Sequence, residues 1–212
     1  MSRWIDITCP IGDRMICWPG RQPPRRVWEK RIADGDHCNV CRWDLNAHTG
    51  THIDAPLHFV DGGASIDQIT ADVLVGPCRV VTHDEDSTTP LDCASVEPYC
   101  GVQRLLVRTR HPHAAADPTM TAYVHHDALL TEDAAALLLD HGLLMLGTDR
   151  LSVDDSRGAD FTIHHLVLGK GAVIVEGLVL SRIGPGDYEL CALPLRIEGG
   201  EASPARVLAR SI

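Results

Sequence analysis

The sequence is poor in aromatic residues and in positive charge. Phe, Trp and Tyr make up 4% of the 212 residues, so a folded core must be mostly aliphatic. Lys and Arg number 19 against 29 Asp and Glu, which gives a formal net charge of −10. Because nucleic-acid binding depends on clustered Lys and Arg, this balance argues against a nucleic-acid partner. A negative surface mainly keeps a protein dispersed in water and identifies no partner by itself.

Long apolar runs are also absent. No run approaches the roughly 20 apolar residues needed to cross a bilayer. Residues 1–10 lack the basic stretch followed by an apolar one that marks a secretory signal. We therefore expect no membrane partner and a cytoplasmic location, where the eight cysteines would stay reduced.

A second zinc-type cysteine pair is missing too. Cys38 and Cys41 form a lone CxxC, whereas structural zinc sites of this type usually combine two such pairs or one with histidines. The pair falls in a stretch predicted as a strand, where residues three positions apart point to opposite faces. We therefore interpret these cysteines as structural rather than as a metal or redox site.

The sequence does contain a series of short Val-, Ile- and Leu-rich runs bounded by Gly, Pro or Asp, which predict strands. These runs cover residues 4–8, 27–32, 40–47, 78–81, 105–108, 143–147, 172–176 and 188–195. Strands outnumber helices and their spacing is uneven, which is typical of an α/β domain with a mixed sheet. Chain length and a hydrophobic content of 44% suit one domain over residues 1–212. Residues 82–90 and 110–121 are predicted as surface loops.

Helix signals are fewer. The clearest predicted helix covers residues 132–141, with Thr131 as its N-cap and Gly142 as its stop. A second helix is predicted to start at Pro90 behind Thr89, because proline fits the first helical position. A short turn is predicted over residues 65–70.

The most informative segment is His48-Thr-Gly-Thr-His52-Ile-Asp54-Ala-Pro-Leu-His58. If it is extended, His48, His52 and Asp54 are separated by even numbers and face one side. Pro56 then breaks the strand and can swing His58 back towards the same cavity. Imidazoles and a carboxylate are the ligands of many catalytic zinc or manganese centres. The alternative, unrelated polar residues on a wet strand face, is disfavoured by four such side chains around Gly and Pro.

A second cluster of ligand-type residues lies far along the chain. Glu176 interrupts the apolar run at 172–180, where an ionised carboxylate is costly unless it is paired or binds a cation. The simpler alternative is that Glu176 meets an arginine at the strand end. Upstream, His164 and His165 must point in different directions, so one of them could join Glu176 on a second metal. Two such ions lie about 3.5–4 Å apart, and Asp54 is the natural bridge between them.

These residues resemble the signature of the cyclase-like metal hydrolases, which has the pattern His-x-Gly-Thr-His-x-Asp-x-Pro-x-His. Within that family the chain is most similar to the bacterial kynurenine formamidases. The similarity extends over nearly the whole chain and includes residues 4–7, 18–20, 48–59, 76–80, 147–154, 164–165, 176–177, 186–195 and 202–204.

The resemblance implies a swivelling β/β/α fold, usually a homodimer, with two zinc ions per subunit. It assigns one metal to His48, His52 and Asp54. A second metal is assigned to Asp54, His164 and Glu176, with His164 preferred to His165 by its spacing from the glutamate. It gives His58 a role in proton transfer. The residues alone do not settle the metal, because such sites also accept manganese.

The resemblance also implies an arylformamidase that hydrolyses N-formyl-L-kynurenine to L-kynurenine and formate in tryptophan catabolism. Trp18 and Phe59 could contact the aryl ring of the substrate, although plain core packing is an equal alternative for Trp18. The family often has Asp where this chain has Arg21, and Thr-Pro where it has Arg150 and Leu151. Both segments are expected to line the pocket.

Two alternatives follow. In the first, the protein is a metal hydrolase of another amide, for example one that opens a cyclic amide as the related isatin hydrolases do, and Arg21 or Arg150 binds a substrate carboxylate. In the second, the protein binds metal for stability and has no catalytic activity. Retention of every ligand-type residue and of His58 disfavours this second alternative.

Overall fold

A closed β-barrel forms the centre of the fold. The computed structural model describes residues 3–13, 15–83, 89–109, 123 and 125–212. Its strands are β1 (Ile5–Asp6), β2 (Arg25–Lys30), β3 (Val40–Asp44), β4 (His52–Asp54), β5 (Val75–Thr82), β6 (Arg104–Arg108), β7 (Met145–Thr148), β8 (Val173–Glu176), β9 (Gly186–Pro194) and β10 (Ala202–Ser211). The main sheet has the order β1-β10-β4-β8-β7-β6-β5-β9, and β9 also pairs with β10. This last pairing closes seven strands into a ring.

The sheet is mixed, as predicted. Strands β5 to β8 are parallel neighbours in the order β5-β6-β7-β8, and the other pairings are antiparallel. The described α-helices are α1 (Ala71–Leu74), α2 (Cys93–Val96), α3 (Glu132–Asp140) and α4 (Thr162–Gly169). Helices α3 and α4 contact each other, and α4 also contacts β8. The predicted α/β fold class is therefore confirmed.

Successive side chains along the parallel strands point to opposite faces of the sheet, and this divides the core into two clusters. Leu106, Val173 and Val175 belong to a cluster inside the barrel. Their neighbours Leu105 and Ile174 face outwards and pack in a second cluster under α3 and α4. Burial on both faces explains why these strands are mostly apolar in sequence. Glu176 ends one of these strands.

The helix predictions had mixed outcomes. Helix α3 matches its prediction, because Thr131 Oγ1 accepts a hydrogen bond from Ala134 N at 3.2 Å and Gly142 has a positive φ of 90°. The predicted turn at 65–70 is also confirmed, as a 3-10 helix over Ile66–Gln68 with a capping box. The predicted start at Pro90 is wrong. Helix α2 begins at Cys93 behind Asp92, whose side chain accepts the Ser95 N–H.

The eight predicted strands are present with shifted ends, while the strands β4 and β10 and the helices α1 and α4 were not predicted as such. Strand β4 is shorter than the extended segment expected at 48–54, while β10 and α4 had no local signal. Cys38 lies in a bend before β3, so the two CxxC cysteines do not share a strand as expected. Of the predicted loops, residues 84–88 and 110–121 lie outside the described residues. No helix in the described ranges is both long and apolar enough to cross a bilayer.

Candidate metal centre

Strands β4 and β8 supply the floor of a polar cluster. They pair antiparallel with His52 opposite Glu176. Directly opposite residues project from the same face of a sheet, and Asp54, two positions after His52, projects from that face as well. Exposure is 2% for His52, 0% for Asp54 and 4% for Glu176. The strand pairing therefore brings together two predicted segments that are far apart in the sequence.

His48 reaches the cluster from a turn. The expectation of an extended chain from His48 to Asp54 is wrong at its start, because Gly50 has a φ of 67° and only His52–Asp54 is a strand. His48 Nδ1 nevertheless lies 2.8 Å from Asp54 Oδ1. A Cβ atom added to Gly177 would lie 2.6 Å from the Gly50 oxygen, so Gly177 permits the turn to sit against the end of β8.

His164 reaches the cluster from helix α4. Asp154 caps this helix, because its side chain accepts hydrogen bonds from Ile163 N at 2.8 Å and His164 N at 3.0 Å. The Asp154 carboxylate also lies 2.6 Å from His164 Nδ1. Opposite this contact, His164 Nε2 lies 3.6 Å from Asp54 Oδ2 and 3.3 Å from Glu176 Oε1. His165 is exposed on the helix surface.

The carboxylate of Asp54 is the centre of the cluster. Oδ1 lies 2.8 Å from His48 Nδ1 and 3.5 Å from His52 Nε2, while Oδ2 faces His164. Neither oxygen accepts a hydrogen bond of acceptable geometry, although both are fully buried. A buried carboxylate without such partners is costly. A bound cation would satisfy these oxygens, so the donor set fits a metal.

The imidazoles are oriented with one nitrogen towards Asp54 or Glu176. His52 Nδ1 lies 2.9 Å from the Gly50 carbonyl, which leaves its unpartnered Nε2 facing Asp54 and Glu176. His48 Nε2 lies 3.5 Å from Glu201. Metal-binding histidines commonly donate their second N–H to a carbonyl or carboxylate, which fixes the ring and its tautomer. His52 and His48 are therefore arranged like metal ligands whose second ring nitrogen contacts another protein group.

Glu176 does not form the arginine pair that was the simpler alternative. Its oxygens lie 3.5 Å from His52 Nε2 and 3.3 Å from His164 Nε2, and Oε1 accepts the Val153 N–H. No arginine or lysine within the described ranges lies within salt-bridge distance of it. Among the described residues, His52, Asp54 and Glu176 form a group able to hold one ion.

The ring of His58 lies beside the ring of His48. Residues Pro56–His58 form a 3-10 turn directly after β4, as the position of Pro56 predicted. The His58 ring centroid lies 4.1 Å from that of His48 and 6.0 Å from that of His164. His48, Asp54 and His58 form a second group close enough to hold an ion. The geometry therefore allows His58 to act either as a ligand or beside the ligands.

Burial and the charges of neighbouring groups both shift the pKa values of the cluster residues. Burial raises the pKa of Asp54, but the surrounding imidazoles, His52 first, outweigh burial and hold that pKa well below its usual value. Burial lowers the pKa of His164, but Glu176 and the two nearby aspartates raise it well above the usual value. For His58, burial dominates and lowers the pKa to about 4. The carboxylates therefore attract positive charge, carried by imidazoles or by a cation.

A cavity of about 240 Å³ opens above the cluster. Trp18 and Phe59, both expected to contact an aryl group, line it and are partly buried. Phe161 adds a third aromatic ring, 5.5 Å from Phe59. It is also the one described non-glycine residue with a positive φ, at 46°. The remaining lining residues are Ile16, Cys17, Arg21, His48, Gly50, His52, His58, Leu151, Ser152, His164 and Glu176.

The two arginines singled out in the sequence differ in position. Arg21 lines the cavity and is exposed. Arg150 is not among the lining residues, and its Nη1 donates to the Asp127 carbonyl at 2.9 Å. Both segments therefore line the pocket as expected, the first through Arg21 and the second through Leu151 rather than Arg150.

Three site residues had no predicted role. Asp154 was part of the matched 147–154 segment without a function, and its ten-residue separation from His164 hides their contact. Phe161 had no predicted role, because phenylalanine rarely adopts a positive φ and its residue type does not indicate this conformation. Glu201 lies in a loop before β10, which was itself not predicted. A search for a carboxylate partner for each candidate histidine would have found Asp154 and Glu201 as possibilities.

The chain is similar to several known proteins over nearly its whole length. Residues 5–155 match the family described as "Putative cyclase". The chain is 38% identical to a kynurenine formamidase of Salinibacter ruber, over 97% of this chain and 96% of that protein. A solved structure of a predicted metal-dependent hydrolase from Bacillus stearothermophilus superposes with a TM-score of 0.80 at 28% identity, covering 100% of both chains. An isatin hydrolase from Labrenzia aggregata shares the fold, with a TM-score of 0.79 at 24% identity, covering 99% of this chain and 94% of that one.

Proposed function

Because the chain belongs to the "Putative cyclase" family and, within it, to the kynurenine formamidases, we propose that it hydrolyses N-formyl-L-kynurenine to L-kynurenine and formate. The protein is thus a metal-dependent arylformamidase. The observation that carries the proposal is the Asp54 carboxylate, which is fully buried without a hydrogen bond of acceptable geometry and is surrounded by imidazoles and Glu176 beneath an aromatic cavity.

We propose two metal ions per subunit, zinc in preference to manganese. His48, His52 and Asp54 would hold one ion, and Asp54, His164 and Glu176 would hold the other. The opposite directions of the two Asp54 oxygens support this division. Two or three imidazoles with carboxylates are a common ligand set for catalytic zinc. When bound, such ions lower the pKa of a water molecule and polarise a carbonyl oxygen.

The chain's own residues would orient the substrate and move its proton. Trp18, Phe59 and Phe161 offer apolar faces for the aryl ring, which directs the ortho formamide towards Asp54. Water adds its oxygen to the formyl carbon, the C–N bond breaks, and the nitrogen leaves as an aniline. His58 would take the proton from the water and deliver it to that nitrogen, and its lowered pKa leaves the ring neutral and able to accept a proton. Its place at the cavity wall beside His48 supports this role.

Assay of the purified protein, with its metal content measured, tests this function. We expect stoichiometric metal, turnover of N-formyl-L-kynurenine, and loss of turnover after chelation with recovery when zinc is restored. Isatin and formanilide serve as comparison substrates. Faster turnover of isatin would replace the proposed substrate, and metal binding without turnover of any amide would make the protein a metal-stabilised binding protein.

We also propose a cytoplasmic homodimer with only small molecules as further partners. The β2–β3 hairpin supports a dimer, since it pairs with no other described strand and exposes Trp28 at 39% and Trp43 at 38%. Two exposed tryptophans on one hairpin are typical of an interface. Sedimentation of wild type and of the Trp28→Ser/Trp43→Ser double variant tests this, with a shift towards monomer expected in the variant.

A further inference from the structure

The segment between Trp18 and Arg21 is a turn that presents two different side chains to the cavity. Arg21 N donates a hydrogen bond to the Trp18 carbonyl at 3.0 Å. Pro19 occupies the second position of this turn, and Gly20 occupies the third with a φ of 83°. Proline followed by glycine at these positions defines a type II turn. The turn therefore fixes the spacing between an aromatic ring and a guanidinium group that both line the cavity.

A hydrogen bond to Asn46 also positions the guanidinium of Arg21. Its Nη1 donates to Asn46 Oδ1 at 2.5 Å, and the same oxygen accepts the His48 backbone N–H at 2.9 Å. Asn46 thus connects Arg21 to the turn that carries a candidate metal ligand. No carboxylate within the described ranges lies within 4 Å of the Arg21 guanidinium. Arg21 is also the one lysine or arginine among the residues that line this cavity.

A positioned cation without a protein carboxylate suits an anionic ligand. Arginine binds carboxylates through two parallel N–H groups, and such charge-assisted bonds are about twice as strong as neutral ones. The chain has a net charge of −10, so carboxylates are plentiful, yet none of those described pairs with this arginine. The cavity thus has a metal-ligand floor, an aromatic wall and a single cationic group at its rim.

We propose that Arg21 binds the carboxylate of the substrate and selects aryl formamides whose side chain carries a carboxylate. This inference rests on the proposed function and deepens it. N-formyl-L-kynurenine carries its α-carboxylate on the chain ortho to the formamide, so a ring against Trp18 can place the two groups at opposite ends of the cavity. Arg150 does not fill this role, because it lies outside the cavity lining and donates to the Asp127 carbonyl.

The test compares two substrates in Arg21→Met. The first is N-formyl-L-kynurenine, and the second is 2′-formamidoacetophenone, which keeps the aryl formamide and ketone but lacks the amino-acid group. We expect kcat/KM for N-formyl-L-kynurenine to fall roughly 10- to 100-fold, mainly through KM, since hydrogen bonds to charged groups contribute about 1.5–3 kcal/mol. The value for 2′-formamidoacetophenone should change less than about 2-fold, because no charge-assisted contact is lost.

The matched control is Arg25→Met. Arg25 is an exposed arginine that lines a neighbouring cavity with Arg21 and does not line the one above the metal cluster. This variant should retain wild-type values for both substrates. Arg21→Lys, which keeps the charge but loses the paired N–H groups, should fall between wild type and Arg21→Met.

The outcomes separate this inference from the proposed function. Equal losses on both substrates would overturn it, because Arg21 would then act on the cluster or the fold. Unchanged values on both would overturn it as well. If wild type hydrolyses neither formamide, the proposed function fails, and the affinities of L-kynurenine and 2′-aminoacetophenone for the metal-loaded protein decide the inference. A selective loss of L-kynurenine affinity in Arg21→Met would support it, and no selective loss would overturn it.

Discussion

Asp54 and Asp149 are both completely buried, yet their surroundings differ in kind. Asp149 accepts hydrogen bonds from Thr109 N at 3.0 Å and from Thr109 Oγ1 at 2.8 Å. Asp54 accepts no hydrogen bond of acceptable geometry, and the imidazoles of His48, His52 and His164 face its oxygens instead. The protein therefore satisfies one carboxylate with its own donors and leaves the other to be satisfied by a cation. Burial alone does not distinguish a functional acid from a structural one, whereas hydrogen-bond partners do.

The pKa directions separate the two acids in the same way. Burial raises the pKa of Asp149 to about 6, and its hydrogen bonds with Thr109 only partly oppose this shift. Burial acts in the same direction on Asp54, but the adjacent histidines reverse the shift. One site thus favours the neutral acid, and the other favours an anion among positive charges. The predictions below test whether this contrast corresponds to metal binding.

The largest effect is expected from Asp54→Ala. A bridging carboxylate compensates the charge of both ions, so its loss should remove metal and reduce activity below detection. Elemental analysis and turnover of N-formyl-L-kynurenine measure the two effects. Asp149→Asn is the matched buried-acid control and should retain full metal content. If Asp54→Ala keeps its full metal content, the bridging role is wrong.

Glu176→Gln should be nearly as severe. The substitution keeps the volume and removes the charge, while the remaining oxygen can still accept the Val153 N–H. We expect a folded variant with reduced metal content and most of its activity lost. A purely structural Glu176 predicts normal metal and turnover with only a changed melting temperature. Metal content, kcat and melting temperature on this variant decide between the two.

Local sequence rules predicted the parts of the fold and site that depend on neighbours in the chain. They found α3 with its Thr131 cap and the His48–His58 cluster. They missed α4 because its cap is Asp154, eight residues before the helix, and the local N-cap position is occupied by Phe161. They missed β10 because its sequence is rich in Ala, Arg and Ser and includes Pro204. The pairing of His52 with Glu176 depends on strand register, which spacing alone does not reveal.

His58→Ala should separate proton transfer from metal binding. If His58 moves protons beside the ligands, the variant keeps its metal and loses roughly 10²–10⁴ in kcat, the usual contribution of general acid–base catalysis. The proximity of His58 to His48 and Asp54 makes the alternative concrete. Loss of metal together with activity would mean that His58 is a metal ligand. The assignment of residues to the two ions would then have to change.

A smaller effect is expected from Asp154→Asn. Asparagine can still cap α4, but it no longer presents a charge to His164 Nδ1. Replacing an outer partner of a metal-binding histidine typically lowers metal affinity about 10- to 100-fold. Competition with a zinc chelator measures this affinity in wild type and variant. An unchanged affinity would show that Asp154 acts only as a helix cap, in which case circular dichroism should be unchanged too.

The smallest effect concerns Asp149 and appears in stability rather than activity. Its pKa of about 6 in the folded protein exceeds the value of about 3.9 in an unfolded chain. The stability contributed by the neutral acid is therefore fully present below about pH 4 and is lost as pH rises through about 6. Asp149→Asn removes this dependence, so the free energy of unfolding of wild type should fall relative to the variant by about 2 kcal/mol between pH 4 and pH 7.

Urea unfolding of both proteins in the presence of a chelator measures the difference without a contribution from metal loss. Parallel pH profiles would mean that Asp149 has the same pKa in the folded and the unfolded chain, and the contrast with Asp54 would then rest on hydrogen bonds alone.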